Sequence, residues 1–139
     1  MIDSTSHLLI ALVRAHRGAL GPRLTELGLH PGAELALAEL WRHPGITHSE
    51  LADRLGVSRP TVTKLVRTLE NGGYAERLGD PDDGRVSRLE PTRAGRRVRP
   101  ALEQAWRDAE RVTLAALTAA EAKALHRLLS RALGSGAER

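Results

Sequence analysis

The stretch HSELADRLGVSRPTVTKLVRTLENGGY, His48 to Tyr74, decides the reading of this chain. It divides into two short helical runs around Gly56. On a helical wheel of the second run, Val62, Leu65, Val66 and Leu69 fall together. Pro60, Thr63, Lys64 and Arg67 fall opposite them. A solvent-facing helix ordinarily mixes charges of both signs among Glu, Lys, Gln and Ala. This face carries hydroxyls and cations only.

Two helices joined by a sharp turn need certain residue types for mechanical reasons. Ala52 is small enough for the first helix to press on the second, and Gly56 tolerates the positive φ of the turn. Leu51, Leu55, Val57, Val62 and Leu65 are expected to lock the pair and seat it on the domain. Thr47 and Glu50 form a capping-box pattern in which each satisfies a free amide at the helix start. An α-helix fits the major groove of duplex DNA, where a threonine can bond or touch a thymine methyl and a lysine or arginine can donate to guanine. Thr63, Lys64 and Arg67 suit that role. Ser58, Arg59 and Thr61, near the helix start, suit phosphates, helped by the helix dipole and free amides. Pro60 removes an amide the helix does not use and narrows its leading edge.

YAERL (74–78) and VSRLE (86–90) read as short strands flanking GDPDDGR, whose Asp, Pro and Gly make a turn or longer hairpin loop. Such a hairpin can carry an arginine to the backbone or into a narrow minor groove. Arg85 follows Gly84 at the expected tip and is the first wing contact; Arg88 is the second. Asp80, Asp82 and Asp83 repel phosphate and are assigned to loop shaping or to pairing with nearby arginines.

Outside this centre the periodicity is helical. Leu9, Leu12, Val13, Leu20, Leu24 and Leu27 mark a first helix from about Ser6, with a kink or break expected at Gly21–Pro22. HPGAELALAELWRHPG reads as a second helix, with Pro31 in its first turn and His30 a candidate cap. Thr92 can cap a long helix with the stripe Ala94, Val98, Ala101, Ala105, Ala109, Val112 and Ala116, kinked at Pro100. Thr118–Glu121 is a further capping box, opening a last helix through Leu125, Leu128, Leu129 and Ala132. The expected fold is mainly α with a small β-hairpin wing, in the order α-α-α-α-β-β-α-α. It divides into an N-terminal helix (1–30), a winged helix-turn-helix region (31–91), closing helices (92–134) and a tail (135–139).

Composition agrees with this and narrows the function classes. The 139 residues include Trp41, Trp106, Tyr74 and no Phe, so the core must be Leu, Val and Ala, which suits packed helices. The net charge of +4 favours a polyanionic partner, although arginine-rich coding gives the same excess, so the distribution must decide. With no cysteine there is no disulfide, thiolate zinc site or thiol switch. No run approaches a membrane span and no signal peptide is evident, so a soluble, cytoplasmic protein is expected. The six histidines form no His-x3-His or His-Glu-x-x-His pattern, so no metal is expected. There is no phosphate loop, nucleophile elbow or paired carboxylate, so neither enzyme activity nor a cofactor is expected. His16 is read as a hydrogen-bonded histidine on the apolar side of the first helix, with a ligand cleft or dimer seam as the alternative. His48 is placed to reach a phosphate. Trp41 and Trp106 are read as filling core or interface volume rather than stacking on an effector, and Arg14 and Arg107 as surface-pairing residues rather than anchors for an anionic ligand.

In motifs and element order the chain resembles the MarR family of bacterial transcriptional regulators. The likeness rests on ELADRLGVSRPTVTKLVRTLENGGY, the wing DPDDGR, two leading helices and two closing ones, which together span nearly the whole chain. It implies a winged-helix homodimer, usually a repressor, whose first and last helices form the dimerisation region. It also implies a small-molecule effector, often aromatic or anionic, held between the dimerisation and DNA-binding regions. The family's wing pattern is often written D-x-R-D-x-R; Asp80, Asp83 and Arg85 match, but Asp82 stands where the middle arginine would be. The cysteine-based redox branch is excluded. Dimerisation also has a physical argument, because the terminal helices carry apolar stripes with little chain left to cover them. Two recognition helices related by a dyad would read a pseudo-palindrome in double-stranded DNA with half-sites about 10–10.5 base pairs apart. The alternative is a winged helix used only to bind protein, which would bind duplex weakly and without steep salt dependence.

Overall fold

The computed structural model describes residues 4–134, so the tail at 135–139 lies outside the described residues. The elements are α1 (Thr5–Glu26), α2 (Ala33–Arg42), β1 (Ile46–Thr47), α3 (His48–Leu55), α4 (Arg59–Asn71), β2 (Ala75–Gly79), β3 (Ser87–Pro91), α5 (Arg93–Arg97), α6 (Arg99–Thr113) and α7 (Ala119–Ala132). The expected order is present, with a strand added and the long closing helix divided.

The core is aliphatic, as the lack of aromatics requires. Leu37 and Leu40 of α2, Leu51 of α3, Val62, Val66 and Leu69 of α4 and Leu89 of β3 are buried together. Leu20 and Leu24 of α1 and Leu102 of α6 extend the same cluster, and α1 lies along α6. Residues on the apolar side of α4 are thus held from behind by α2 and α3, which fixes the direction of the other side. The sheet is antiparallel in the order β1-β3-β2, with Ile46 opposite Leu89 and Ala75 opposite Pro91.

Several local expectations need correction. The sheet has three strands: Ile46–Thr47 pairs with Leu89 and Arg88, a contact no short-range pattern reveals. Helix α1 runs through Pro22 without a break. Pro22 and Gly18, whose carbonyl loses its partner, are on the exposed side and open to water, while buried Leu20 and Leu24 hold the flanking turns against α6. Pro31 precedes α2, whose N-cap is Gly32 at φ 95°, so His30 is no cap; its Nδ1 lies 3.0 Å from the Pro31 carbonyl oxygen. The kink expected at Pro100 is a division at Val98, with Pro100 in the first turn of α6, where an amide is dispensable. The buried stripe of α6 is Leu102, Ala105 and Ala109, while Ala94 and Ala101 are exposed and Val112 is 67% exposed. Leu102 follows Val98 by four residues and removes more apolar area from water than Ala101 would.

Candidate nucleic-acid interface

The helix-turn-helix is built as its residue types require. Gly56 closes α3 in the left-handed region at φ 67°, and the Val57 amide donates back to the Ala52 carbonyl at 3.1 Å. Val57 itself does not lock the helices, because at the turn it points outward and stays 38% exposed. Thr47 Oγ1 accepts from the Glu50 amide at 3.2 Å, but the Glu50 carboxylate accepts from the Thr47 hydroxyl rather than from an amide, so only half the expected box forms. At Thr118 and Glu121 both halves are present. Arg54 clamps α3 to α2 through Glu39 at 2.6 Å.

Ser58 caps α4, accepting from the Thr61 amide at 3.3 Å, and its hydroxyl lies 3.0 Å from that of Thr61. One of the amides expected to serve phosphate is therefore occupied by the cap. Pro60 stands in the first turn. Ser58, Arg59, Pro60, Thr61, Thr63, Lys64 and Arg67 are all exposed, on one side of a helix whose other side is buried. Arg59, Lys64 and Arg67 make no ion pair among the described residues. The Thr63 hydroxyl donates to the Arg59 carbonyl at 3.0 Å, leaving its methyl and acceptor lone pairs for an outside partner.

The wing loop is shaped by carboxylates. Asp80 Oδ1 accepts from the amides of Asp82 at 2.7 Å and Asp83 at 3.2 Å, and Asp83 Oδ1 accepts from the Arg85 amide at 3.0 Å. The Asp82 amide first, then Arg88, and after them the Asp83 amide hold the Asp80 carboxyl below its ordinary pKa against the opposing effect of burial. Arg85 sits at the tip with its side chain 92% exposed, loosely paired with Asp83 at 3.3 Å. Arg88 is different: it donates to Asp80 at 2.8 Å and to the Gly45 carbonyl at 3.0 Å, fastening the base of the wing to the residue just before β1. His48 is half-buried at the start of α3, and burial, followed by the nearby cations Arg77 and Arg59, lowers its pKa against a smaller opposing effect of Glu70.

A cavity of about 480 Å³ opens between α1, α2, α6 and α7, lined mainly by aliphatic side chains with His16, Arg17, Glu34, Trp106 and Glu110. Glu34, 0% exposed, is a residue that sequence reasoning misses. It accepts from Arg17 through one oxygen and from the Gly32 amide at 2.8 Å through the other. The available signal is an acid three residues before Leu37 on the apolar arc of α2. His16 lines this cavity, its Nδ1 3.5 Å from the Thr113 hydroxyl. Trp106 lines it too and meets Trp41 edge to face at 6.5 Å. Trp41 donates to the Gly95 carbonyl at 2.9 Å, Arg107 donates to Gln104, and Arg14 is exposed away from the cavity.

A braced helix-turn-helix followed by a two-stranded wing beside a third strand defines a winged helix-turn-helix protein. The comparisons agree with that class. The family model described as "MarR family" matches residues 32–87. The HTH-type transcriptional repressor Rv2887 of Mycobacterium tuberculosis is 30% identical over 129 residues, 93% of this chain and 92% of the relative. The chain belongs to the MarR family, whose members are transcriptional regulators rather than enzymes. A crystal structure of MarR superposes with a TM-score of 0.83 at 31% identity, covering 96% of this chain and 97% of that one. The structure of Rv2887 in complex with DNA gives 0.80 at 27% identity, covering 96% and 100%. The PcaV regulator of Streptomyces coelicolor, in complex with its natural ligand, gives 0.74 at 27%, covering 94% and 92%. Among the described residues no helix is long and apolar enough to cross a membrane.

Proposed function

We propose that this regulator is a homodimeric repressor that binds a pseudo-palindromic operator through α4 in the major groove. The observation that carries the reading is the exposed face of α4, where Arg59, Lys64 and Arg67 stand free of ion pairs among the described residues while Val62, Val66 and Leu69 anchor the opposite face. Ser58, Arg59 and Thr61 would hold phosphates, with Pro60 at the leading edge; Thr63, Lys64 and Arg67 would face bases. Arg85 would meet the backbone or the minor groove, with Arg88 holding the wing in position.

The dimerisation region would be α1, α6 and α7, the outer parts of the proposed division at 1–30 and 92–134. Leu8, Leu9, Ile10 and Val13 of α1 and Leu128 and Leu129 of α7 are exposed, and α7 has no buried residue. A second copy would take these surfaces out of water. The cavity beside them would hold a small-molecule effector, in keeping with the ligand-bound state of PcaV.

Selection of bound genomic fragments tests the reading. It should recover a dyad-symmetric site, protected as two half-sites and bound with steep salt dependence. Weak binding insensitive to salt would instead make the domain a protein-interaction module. Sedimentation should give a dimer, and Leu9→Asp, on the exposed face of α1 outside the cavity, should yield monomer with reduced operator affinity.

A further inference from the structure

We infer that the cavity between α1, α2, α6 and α7 selects a hydrophobic cation of the aryl- or alkylammonium class over an anion. The inference rests on the reading of this cavity as the effector site. Its wall holds one Arg or Lys among the described residues, Arg17. That guanidinium already donates to the carboxylate of Glu34, which is fully buried and also accepts from the Gly32 amide. An anion approaching Arg17 therefore meets Glu34 at the same place, and the pair offers no net positive charge.

The second carboxylate of the wall, Glu110, is exposed and has no ion pair among the described residues. Arg107 and Arg111 line a shallow cleft that adjoins the cavity and shares Glu110, Leu114 and Ala122 with it, but they donate to Gln104 and Asp108 and do not line the cavity itself. Among the Arg, Lys, Asp and Glu side chains of the wall, Arg17 stands against Glu34 and Glu110, one negative charge in excess. Most of the remaining lining is aliphatic, and Trp106 adds an indole, the best of the aromatic partners for a cation. A volume of about 480 Å³ admits a ligand with one or more aromatic rings. An apolar body bearing a positive head satisfies the greasy wall and the unpaired carboxylate together.

Tetraphenylphosphonium and tetraphenylborate have the same shape and opposite charge, which makes them the probes. Each is titrated into the full chain, with tryptophan fluorescence and calorimetry as readouts. The phosphonium should bind more tightly, and Glu110→Gln should shift the affinity ratio about tenfold toward the borate, the size expected when two opposite ions each feel one water-exposed charge about 6 Å away. Glu110 is exposed, so the variant should keep its thermal midpoint. Preference of the wild type for the borate, or a ratio unmoved in the variant, overturns the inference while leaving a ligand cavity in place. If neither ion binds, the effector-site reading falls with it.

Discussion

Arg88 reaches from β3 to Asp80, Nε to Oδ2 at 2.8 Å, and the same guanidinium donates to the carbonyl of Gly45 at 3.0 Å. It ties the start of the wing loop to the residue just before the strand on the far side of the sheet. Arg85, three residues earlier, projects from the tip. The two arginines should therefore fail in different ways. Arg85→Ala should weaken DNA binding, flatten its salt dependence by about one counterion and leave the melting temperature unchanged. Arg88→Ala should loosen the wing, lower the melting temperature through two lost charge-assisted bonds and reduce affinity only as a consequence. Calorimetric melting and a salt series on each variant separate the outcomes, and equal behaviour would contradict the division of labour.

The Asp80 carboxylate should be the acid-sensitive part of the wing. Its pKa lies below the ordinary 3.8, chiefly because the Asp82 amide donates to the charged form and secondarily because Arg88 does. A depressed carboxyl pKa contributes stability that is present above the unfolded value and lost as pH falls through the folded value. Amide resonances of Asp82 and Asp83 should therefore titrate with a midpoint under 3.8, and Arg88→Ala should move that midpoint up. A wild-type midpoint at or above 3.8 would show that these bonds do not form in solution.

On α4, Lys64→Ala or Arg67→Ala should cost about 1–3 kcal/mol at the cognate operator if each reads a base. The loss should then be smaller on unrelated DNA; an equal loss on every sequence would make the residue a phosphate contact. Thr63 adds a finer expectation. Its hydroxyl proton is given to the Arg59 carbonyl, so recognition would use the methyl or a lone pair. Thr63→Val should then keep most affinity where a thymine methyl is touched, and Thr63→Ala should lose it.

His48 should report the charge around the helix-turn-helix. Burial and then Arg77 and Arg59 lower its pKa from 6.5, so the folded protein holds it neutral where the unfolded chain begins to bind a proton. Stability should fall as pH drops below 6.5 and level off once the folded pKa is passed. His48→Gln should remove that step from urea midpoints measured across the range. A neutral His48 also adds no positive charge toward a phosphate at neutral pH, so the same variant should leave the salt slope of DNA binding unchanged.

Legibility in the sequence follows the range of the interactions. The α3–turn–α4 unit is readable because Ala52, Gly56 and the Val62–Leu69 stripe act within about twenty residues of one another. The capping pattern at Thr118 is local for the same reason. β1 is hidden because two residues become a strand only through Leu89 and Arg88, some forty positions away. Glu34 looks like an ordinary surface acid until the fold brings Arg17 from α1 against it. The hold of Arg88 on Gly45 is hidden because strand alternation cannot reveal that this carbonyl lies within reach. Val57 misleads because a turn residue obeys no helical period.

Gly56 and Gly95 are needed for opposite reasons, and substitution should separate them. A Cβ at Gly56 would meet open space, but φ is +67°, so the demand is conformational. Gly56→Val should cost about 1–3 kcal/mol, with Gly56→Asn recovering much of it, because Asn visits the left-handed region more readily. At Gly95 the demand is space. A Cβ there would lie 2.1 Å from the Tyr74 carbonyl oxygen, at the point where α5 crosses the start of the wing and the Gly95 carbonyl accepts from Trp41. Since the obstacle is backbone, no rotamer change relieves it, and Gly95→Ala should destabilise by at least the ~1–3 kcal/mol of ordinary overpacking. Asn at Gly95 should be worse than Ala, the reverse of the order at Gly56. Tyr74 also donates through its hydroxyl to the Leu27 carbonyl at the end of α1, so the Gly95 variants should disturb the link between α1 and the wing as well as the fold. Urea denaturation of the four variants tests the pattern, and a Gly95→Ala protein as stable as wild type would mean that α5 does not press on Tyr74.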